Sequence, residues 1–213
     1  MRAPLRFGGI VVVLAAPLTA PSQAAQVWLQ NDSYVEPNPF NCQIGFEADE
    51  TVAAKFTAAP ADYPYRIQTV RVLACGGGFD AYAVEIYADN EDMTAPPDGL
   101  LWSSADAYIL MGDNSFYDID LSDQNITIDS GGIRVGLVNV NILDPVGFGT
   151  DLSGIVAHRN FVRDAPGQWF FAENVGISGD FILRVQITTP DRYLVTGGGP
   201  GSLSLTRRYQ REF

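Results

Sequence analysis

Histidine and lysine, two side chains that enzymes use for acid–base chemistry, are scarce in this sequence. The 213 residues include one histidine, His158, and one lysine, Lys55. A single histidine excludes zinc sites of the HExxH type, and any Ser-His-Asp triad would have to use His158, which local alternation places at a surface or strand edge. The GxSxG and SxxK serine motifs and the Walker and Rossmann glycine motifs are also absent. The sequence therefore predicts a protein that is not an enzyme.

Positive charge is also in short supply. The chain has 13 Lys and Arg against 25 Asp and Glu, which gives a formal net charge of -12 at pH 7. A surface of this sign repels the phosphate backbone of nucleic acids and the headgroups of anionic lipids. We therefore expect no nucleic-acid partner.

The sequence has one long apolar run, residues 7–20, and it contains Pro17. A transmembrane helix needs about 20 apolar residues, so this run is too short to span a bilayer. Arg2 and Arg6 precede it, and the small residues of segment 22–25 follow, which is the layout of a secretory signal peptide. We expect residues 1–25 to be cleaved, leaving a secreted or periplasmic protein without a membrane span.

Cysteine occurs only twice, as Cys42 and Cys75. Export places this pair in an oxidising compartment, where the two thiols are expected to form a disulfide. The alternative is a redox or nucleophilic thiol, but the spacing is not Cys-x-x-Cys and His158 is distant in sequence. The interpretation favoured by the sequence is a structural disulfide.

No segment has the apolar periodicity of an amphipathic helix with a cap and a stop, whereas several alternate with period two. Segments 80–88, 133–137 and 179–189 are the clearest strands, because apolar side chains occupy every second position. Weaker strand candidates are 43–49, 52–56, 65–74, 100–103, 116–121, 125–128 and 168–172. Clusters of Gly and Pro between these segments are typical of turns.

Many short strands with such punctuation predict an all-β fold, an antiparallel two-sheet β-sandwich of jelly-roll-like form. Its expected domain organisation is a lead-in segment 26–40, the sandwich at 41–190, and a glycine-rich stretch with a basic tail at 191–213.

Several segments within residues 65–188 resemble jelly-roll-type accessory domains of secreted bacterial proteins. The resemblance is carried by VEIYADN at 84–90, by APPDGLLW at 95–102, by ITI at 126–128 with GIRVGL at 132–137, and by GDFILRV at 179–185. It implies a two-sheet sandwich with a non-catalytic role in recognition or assembly. It carries over no functional residues.

Oxygen-bearing side chains are dense just after segment 80–88. Asp89, Asn90 and Asp92 could supply oxygen ligands for a structural calcium ion, which takes six to eight of them. Their spacing is not that of an EF-hand loop, and a solvated acidic loop is the alternative interpretation. We expect no other cofactor.

Aromatic rings are candidates for sugar stacking, since an exposed ring packs on the apolar face of a pyranose. Tyr87, Tyr108 and Tyr117 are the ligand-binding candidates. Tyr87 alternates with Val84 and Ile86, and is therefore expected on the exposed face.

Together these features predict an exported, non-catalytic β-sandwich that binds a glycan, a surface component or an extracellular partner protein, or takes part in envelope assembly. The alternative is a secreted carbohydrate-active enzyme with paired carboxylates, for which Glu47 and Asp49 would share one face of a strand. The sequence does not indicate an oligomeric state.

Overall fold

The computed structural model describes residues 24–90, 95–140, 144, 146–190, 194–197 and 203–206. Residues 1–23 of the predicted signal peptide and Asp92 of the predicted calcium site lie outside the described residues. The described helical structure consists of short 3₁₀ turns at Pro60–Asp62, Ser122–Gln124 and Ala172–Val175. Within the described ranges, no helix has the length and apolarity required to cross a membrane.

Strands make up the rest of the regular structure. In chain order they are β1 (Ala25–Gln30), β2 (Asn41–Gln43), β3 (Thr51–Phe56), β4 (Tyr65–Cys75), β5 (Phe79–Ala88), β6 (Gly99–Ser103), β7 (Tyr108–Met111), β8 (Ser115–Asp120), β9 (Thr127–Ile128), β10 (Ile133–Asn139), β11 (Gly147–Thr150), β12 (Asn160–Arg163), β13 (Trp169–Phe171), β14 (Leu183–Thr189), β15 (Leu194–Gly197) and β16 (Leu203–Thr206).

Fourteen of the sixteen described strands form two seven-stranded sheets, and β15 and β16 form a separate two-stranded sheet. The first has the order β1-β14-β4-β11-β2, with β8 and β9 also paired to β4. The second has the order β13-β12-β3-β10-β5-β6, with β7 also paired to β5. All of these pairings are antiparallel. The prediction of an all-β, antiparallel two-sheet β-sandwich is confirmed.

One apolar core holds the two sheets together. The side chains that alternate inward from β5, β10, β4 and β14 belong to a single buried cluster, which includes Val84, Ile86, Val135, Leu137, Val70, Val72, Val185 and Ile187. Burying each aliphatic side chain of this kind contributes about 1.5–3 kcal/mol. The period-two pattern read from segments 80–88, 133–137 and 179–189 therefore marks the faces that pack.

The predicted strand at 43–49 is wrong. Only Asn41–Gln43 is strand, and the chain then turns at Ala48 and Asp49. Gly45 has a φ of 94° and Asp49 a φ of 67°, values that interrupt an extended backbone. The Glu47 amide donates to the Glu50 carboxylate across this turn. Glu47 and Asp49 therefore do not share a strand face.

Strands also occur where periodicity gave no signal. β1 begins at Ala25, the last residue of the predicted signal peptide, and continues into the predicted lead-in segment 26–40, and its full length pairs with β14. β15 and β16 pair within the predicted glycine-rich stretch and tail. β7, β11 and β12, of four residues each, were also not predicted.

The disulfide between Cys42 and Cys75 is confirmed, with Cα atoms 5.9 Å apart. Cys42 lies in β2 and Cys75 ends β4, and both strands pair with β11. A Cβ atom on Gly147 of β11 would lie 2.8 Å from the Cys42 sulfur. A glycine is therefore needed where β11 runs beside the disulfide.

Candidate functional site

A pocket lies where the ends of β1 and β3 meet the turn that precedes β12. It has a volume of about 490 Å³, and its wall includes Asn31, Lys55, Asp89, Arg134, His158 and Arg159. We call it the basic pocket. The single lysine and the single histidine of the chain both line it. Its size is in the range of ligand pockets, about 300–1,000 Å³.

A buried ion triad forms part of the wall. The Arg134 Nε atom lies 2.6 Å from Asp89 Oδ1, and both side chains are only 1% exposed. Lys55 pairs with the other oxygen of the Asp89 carboxylate. The Arg134 guanidinium also lies 3.6 Å from the centroid of the Phe161 ring, within cation–π range. One carboxylate thus holds two cations in place.

Burial lowers the pKa of Arg134, since it disfavours the charged guanidinium, while the hydrogen bond and the charge of Asp89 act in the opposite direction. A buried charge is tolerated when it is paired and hydrogen-bonded, and Asp89 meets both conditions here.

Strand register explains why these side chains meet. Arg134 of β10 lies opposite Lys55 of β3 on one side and opposite Tyr87 of β5 on the other. Alternate residues point to opposite faces, so all of them project from the outer face of the second sheet. The segment after β5 covers this row: Arg134 donates to the Ala95 carbonyl, and Asn90 donates to the Pro96 carbonyl.

His158 stands at the pocket rim on a left-handed backbone position, with φ 63°. Its amide donates to Glu173 Oε1 at 2.9 Å, and its Nε2 atom lies 3.9 Å from the same oxygen. The ring packs on Phe171 with centroids 4.2 Å apart. The His158 Nδ1 atom is buried and has no hydrogen-bond partner.

A network of buried polar groups fixes the turn that carries His158 and Arg159. Asp180 accepts hydrogen bonds from the Val156 amide at 2.8 Å and from Asn160 Nδ2 at 2.6 Å. Asp151 accepts from the Ser33 amide at 2.7 Å and from the Ser33 hydroxyl at 2.9 Å. The Asp180 amide donates to the other oxygen of Asp151 at 3.2 Å. These contacts tie the loop to the segment after β1.

The pKa values of Asp151 and Asp180 are shifted in opposite directions. Burial by itself would raise the pKa of Asp151, but hydrogen bonds from Ser33, Asp180 and Ser153 outweigh it and hold the pKa below the ordinary value of 3.8. Burial raises the pKa of Asp180, and the nearby charge of Asp151 adds to that shift. Asp151 therefore stabilises the fold fully above its unfolded-state pKa, and this contribution is lost as the pH falls through the folded value. Asp180, whose folded pKa is raised, contributes stability that is fully present below its unfolded-state pKa and is lost as the pH rises through the folded value.

We expect Asp151→Asn to lower the free energy of unfolding by about 1–3 kcal/mol at pH 7. Both oxygens of Asp151 accept hydrogen bonds, so the NH₂ group of the asparagine would face a donor and leave it without an acceptor. The variant should also lose less stability than the parent as the pH falls below about 4, because it lacks the titrating carboxylate. Urea unfolding at several pH values measures both effects. The control is Asp118→Asn, which breaks an exposed ion pair with Arg71 and should cost less than about 1 kcal/mol. Parallel pH profiles for Asp151→Asn and the parent would contradict the expected role of Asp151.

Asp89 and Asn90 of the predicted calcium site both contact Arg134. Asp89 also pairs with Lys55, so its carboxylate already has two cationic partners. Among the described residues, no group of three or more His, Cys, Asp or Glu side chains is arranged to hold a metal ion. Calcium binding stays a prediction.

The three candidate tyrosines lie on different strands. The expectation that Tyr87 is exposed is wrong: it is 5% exposed, since Trp169 packs edge-on against its ring. Burial raises the pKa of Tyr87, and its hydrogen bond to Glu85 adds to this effect. Tyr108 on β7 and Tyr117 on β8 are half-buried against the core. None of the three is among the residues that line the basic pocket.

The sequence interpretation did not single out Arg134, Lys55, Arg159 or Asn31 as site residues. Two signals could have drawn attention to this region. Arg134 is the one charged residue in β10, whose seven residues are all buried, and Lys55 is the only lysine of the chain. A charge in a strand buried on both faces needs a buried partner.

Comparison of the chain with protein-family models, with curated proteins and with solved structures found no match.

Proposed function

We propose that the protein is an exported, non-catalytic binding module and that its ligand is a glycan held in the basic pocket. The observation that carries this proposal is the pocket itself, a cavity of about 490 Å³ with charged, amide and aromatic side chains in its wall. Saccharides need this mixture, because their hydroxyls require hydrogen-bond partners and their ring faces pack on apolar groups.

A second depression supports a ligand longer than one sugar unit. It has a volume of about 500 Å³ and shares Lys55, Thr57 and Asp89 with the basic pocket. Tyr63 and Gly131 line its far side. The two depressions adjoin at the Lys55–Asp89 ion pair, so an oligosaccharide could extend from one into the other.

The wall chemistry favours binding over hydrolysis. A glycosidase pair needs two carboxyl groups about 5–10 Å apart across a cleft. Asp89 is the one carboxylate among the described residues of the basic pocket wall, where two cations hold it, and Asp129 lines only the adjoining depression. Glu47 and Asp49 are exposed on a turn elsewhere. The enzyme alternative is tested in the same experiment.

We expect the full chain to bind at least one saccharide class on a glycan array, and Ala157→Trp to weaken that binding at least tenfold. Ala157 is exposed at the pocket wall, where an indole would occupy the ligand space. Ala105→Trp is the matched control, because Ala105 is also an exposed alanine and does not line the pocket.

The proposal fails if no saccharide binds or if both variants behave alike. Release of new reducing ends from a bound polysaccharide would instead establish the carbohydrate-active enzyme. Capture of a protein without any saccharide binding would establish the partner-protein role.

A further inference from the structure

The basic pocket differs in charge from the rest of the chain. Its described wall carries three formal positive charges, on Lys55, Arg134 and Arg159, against one negative charge on Asp89. The chain as a whole has a net charge of -12. An acidic protein that gathers cations at one cavity has a local field that attracts an anionic ligand, and low-dielectric walls concentrate that field.

Asp89 cannot neutralise this group of cations. Its carboxylate is shared by Arg134 and Lys55, so the ion triad keeps an excess of one positive charge. The Lys55 side chain is 28% exposed and lines the pocket. Arg159 is exposed and, among the described residues, has no carboxylate within 4.0 Å, although its charge acts on Asp180. One guanidinium at the wall is therefore available to a carboxylate or a sulfate.

Asn31 adds a requirement that a simple anion does not meet. It is 8% exposed, lines the basic pocket, and donates through Nδ2 to the Arg159 carbonyl at 3.3 Å. Its Oδ1 atom is buried without a hydrogen-bond partner. A buried acceptor of this kind lacks a donor, which a ligand hydroxyl can provide but a carboxylate or sulfate ion cannot.

We infer that the basic pocket recognises an acidic saccharide, whose carboxylate or sulfate group pairs with Arg159 and Lys55 while a hydroxyl donates to Asn31. This inference rests on the proposed function, because it names the class of glycan that the same pocket holds. The cations select for the charged group, and the amide oxygen distinguishes a sugar from a free anion.

The test is isothermal titration of the full chain with polyuronate and sulfated oligosaccharides, each beside its neutral form in which the carboxyl is reduced or the sulfate removed. We expect an acidic form to bind at least about tenfold more tightly than its neutral form, the effect of one charge-assisted hydrogen bond. Added salt should weaken the acidic form more than the neutral one. Inorganic sulfate is titrated as a separate probe.

Two variants and a control locate the effect. Arg159→Gln should lose most of the preference for the acidic form, while Arg159→Lys should keep part of it. Arg66→Gln, which removes an exposed arginine hydrogen-bonded to Asn125 outside the pocket, should change nothing. Thermal melts confirm that each variant is folded.

Three results would overturn the inference, and they differ from failure of the proposed function. Equal binding of acidic and neutral forms leaves a glycan-binding module without charge selection. Inorganic sulfate that binds as tightly as the acidic saccharides indicates a free-anion site. Binding of no saccharide removes the inference and the proposed function together.

Discussion

Replacing both Cys42 and Cys75 by alanine is expected to lower the free energy of unfolding by about 3–4 kcal/mol. The disulfide closes a loop with a sequence separation of 33 residues. Closing a loop of this length restricts the unfolded chain by about that amount, according to the chain-entropy relation. Denaturant unfolding of the double variant, or of the parent under reducing conditions, measures the loss.

The loss should also have a local component at β2. This strand has three residues, and its only partner among the described strands is β11. Without the bond to Cys75, little else fastens β2 to the sheet, so its backbone amides should exchange faster with solvent than those of β4. A loss below about 1 kcal/mol, with unchanged exchange at β2, would contradict the assigned role of the disulfide.

The fold could be predicted from the sequence wherever one face of a strand is buried and the other is polar. β14 has this pattern, and its buried and half-buried residues alternate along its whole length. β11 has no such pattern, since all four of its residues are buried. β11 fits only because Gly147 and Gly149 leave room for Cys42 and Leu73. These contacts form only when the strands pack, so the sequence alone does not reveal them.

The candidate site could not be predicted from the sequence, because the pairing register of the strands brings its residues together and their spacing along the chain does not show it. Lys55, Arg134 and Asp89 are far apart in the chain, and they meet because β3, β10 and β5 are neighbours. The same packing reverses the expectation for Tyr87, since β13 brings Trp169 over a face that periodicity marks as exposed. Alternation identifies the two faces of a strand, but it does not show what covers the outer one.

The second large effect is expected at the buried ion triad, where Asp89→Ala should lower the free energy of unfolding by about 3–5 kcal/mol. The substitution removes the carboxylate from Arg134, whose side chain is 1% exposed. The other groups that act on that guanidinium include the Ala95 carbonyl, Asn90 Oδ1 at 3.4 Å, the Phe161 ring and the charge of Asp98. A buried cation that loses its hydrogen-bonded carboxylate is costly, because the protein interior solvates it poorly.

A double-mutant cycle with Arg134→Met separates the charge effect from lost packing. Arg134→Met should lower the free energy of unfolding less than Asp89→Ala does. In that variant Asp89 still pairs with Lys55, whose side chain is partly exposed. The double variant should cost less than the sum of the single ones, because residues that share an ion pair are coupled. Asp118→Ala is the control, since it breaks the exposed pair with Arg71 and should cost under about 1 kcal/mol. If Asp89→Ala cost no more than Asp118→Ala, the triad would have no special part in holding the pocket wall. A large, coupled loss would show that the carboxylate which orders the cations of the pocket also holds the second sheet together.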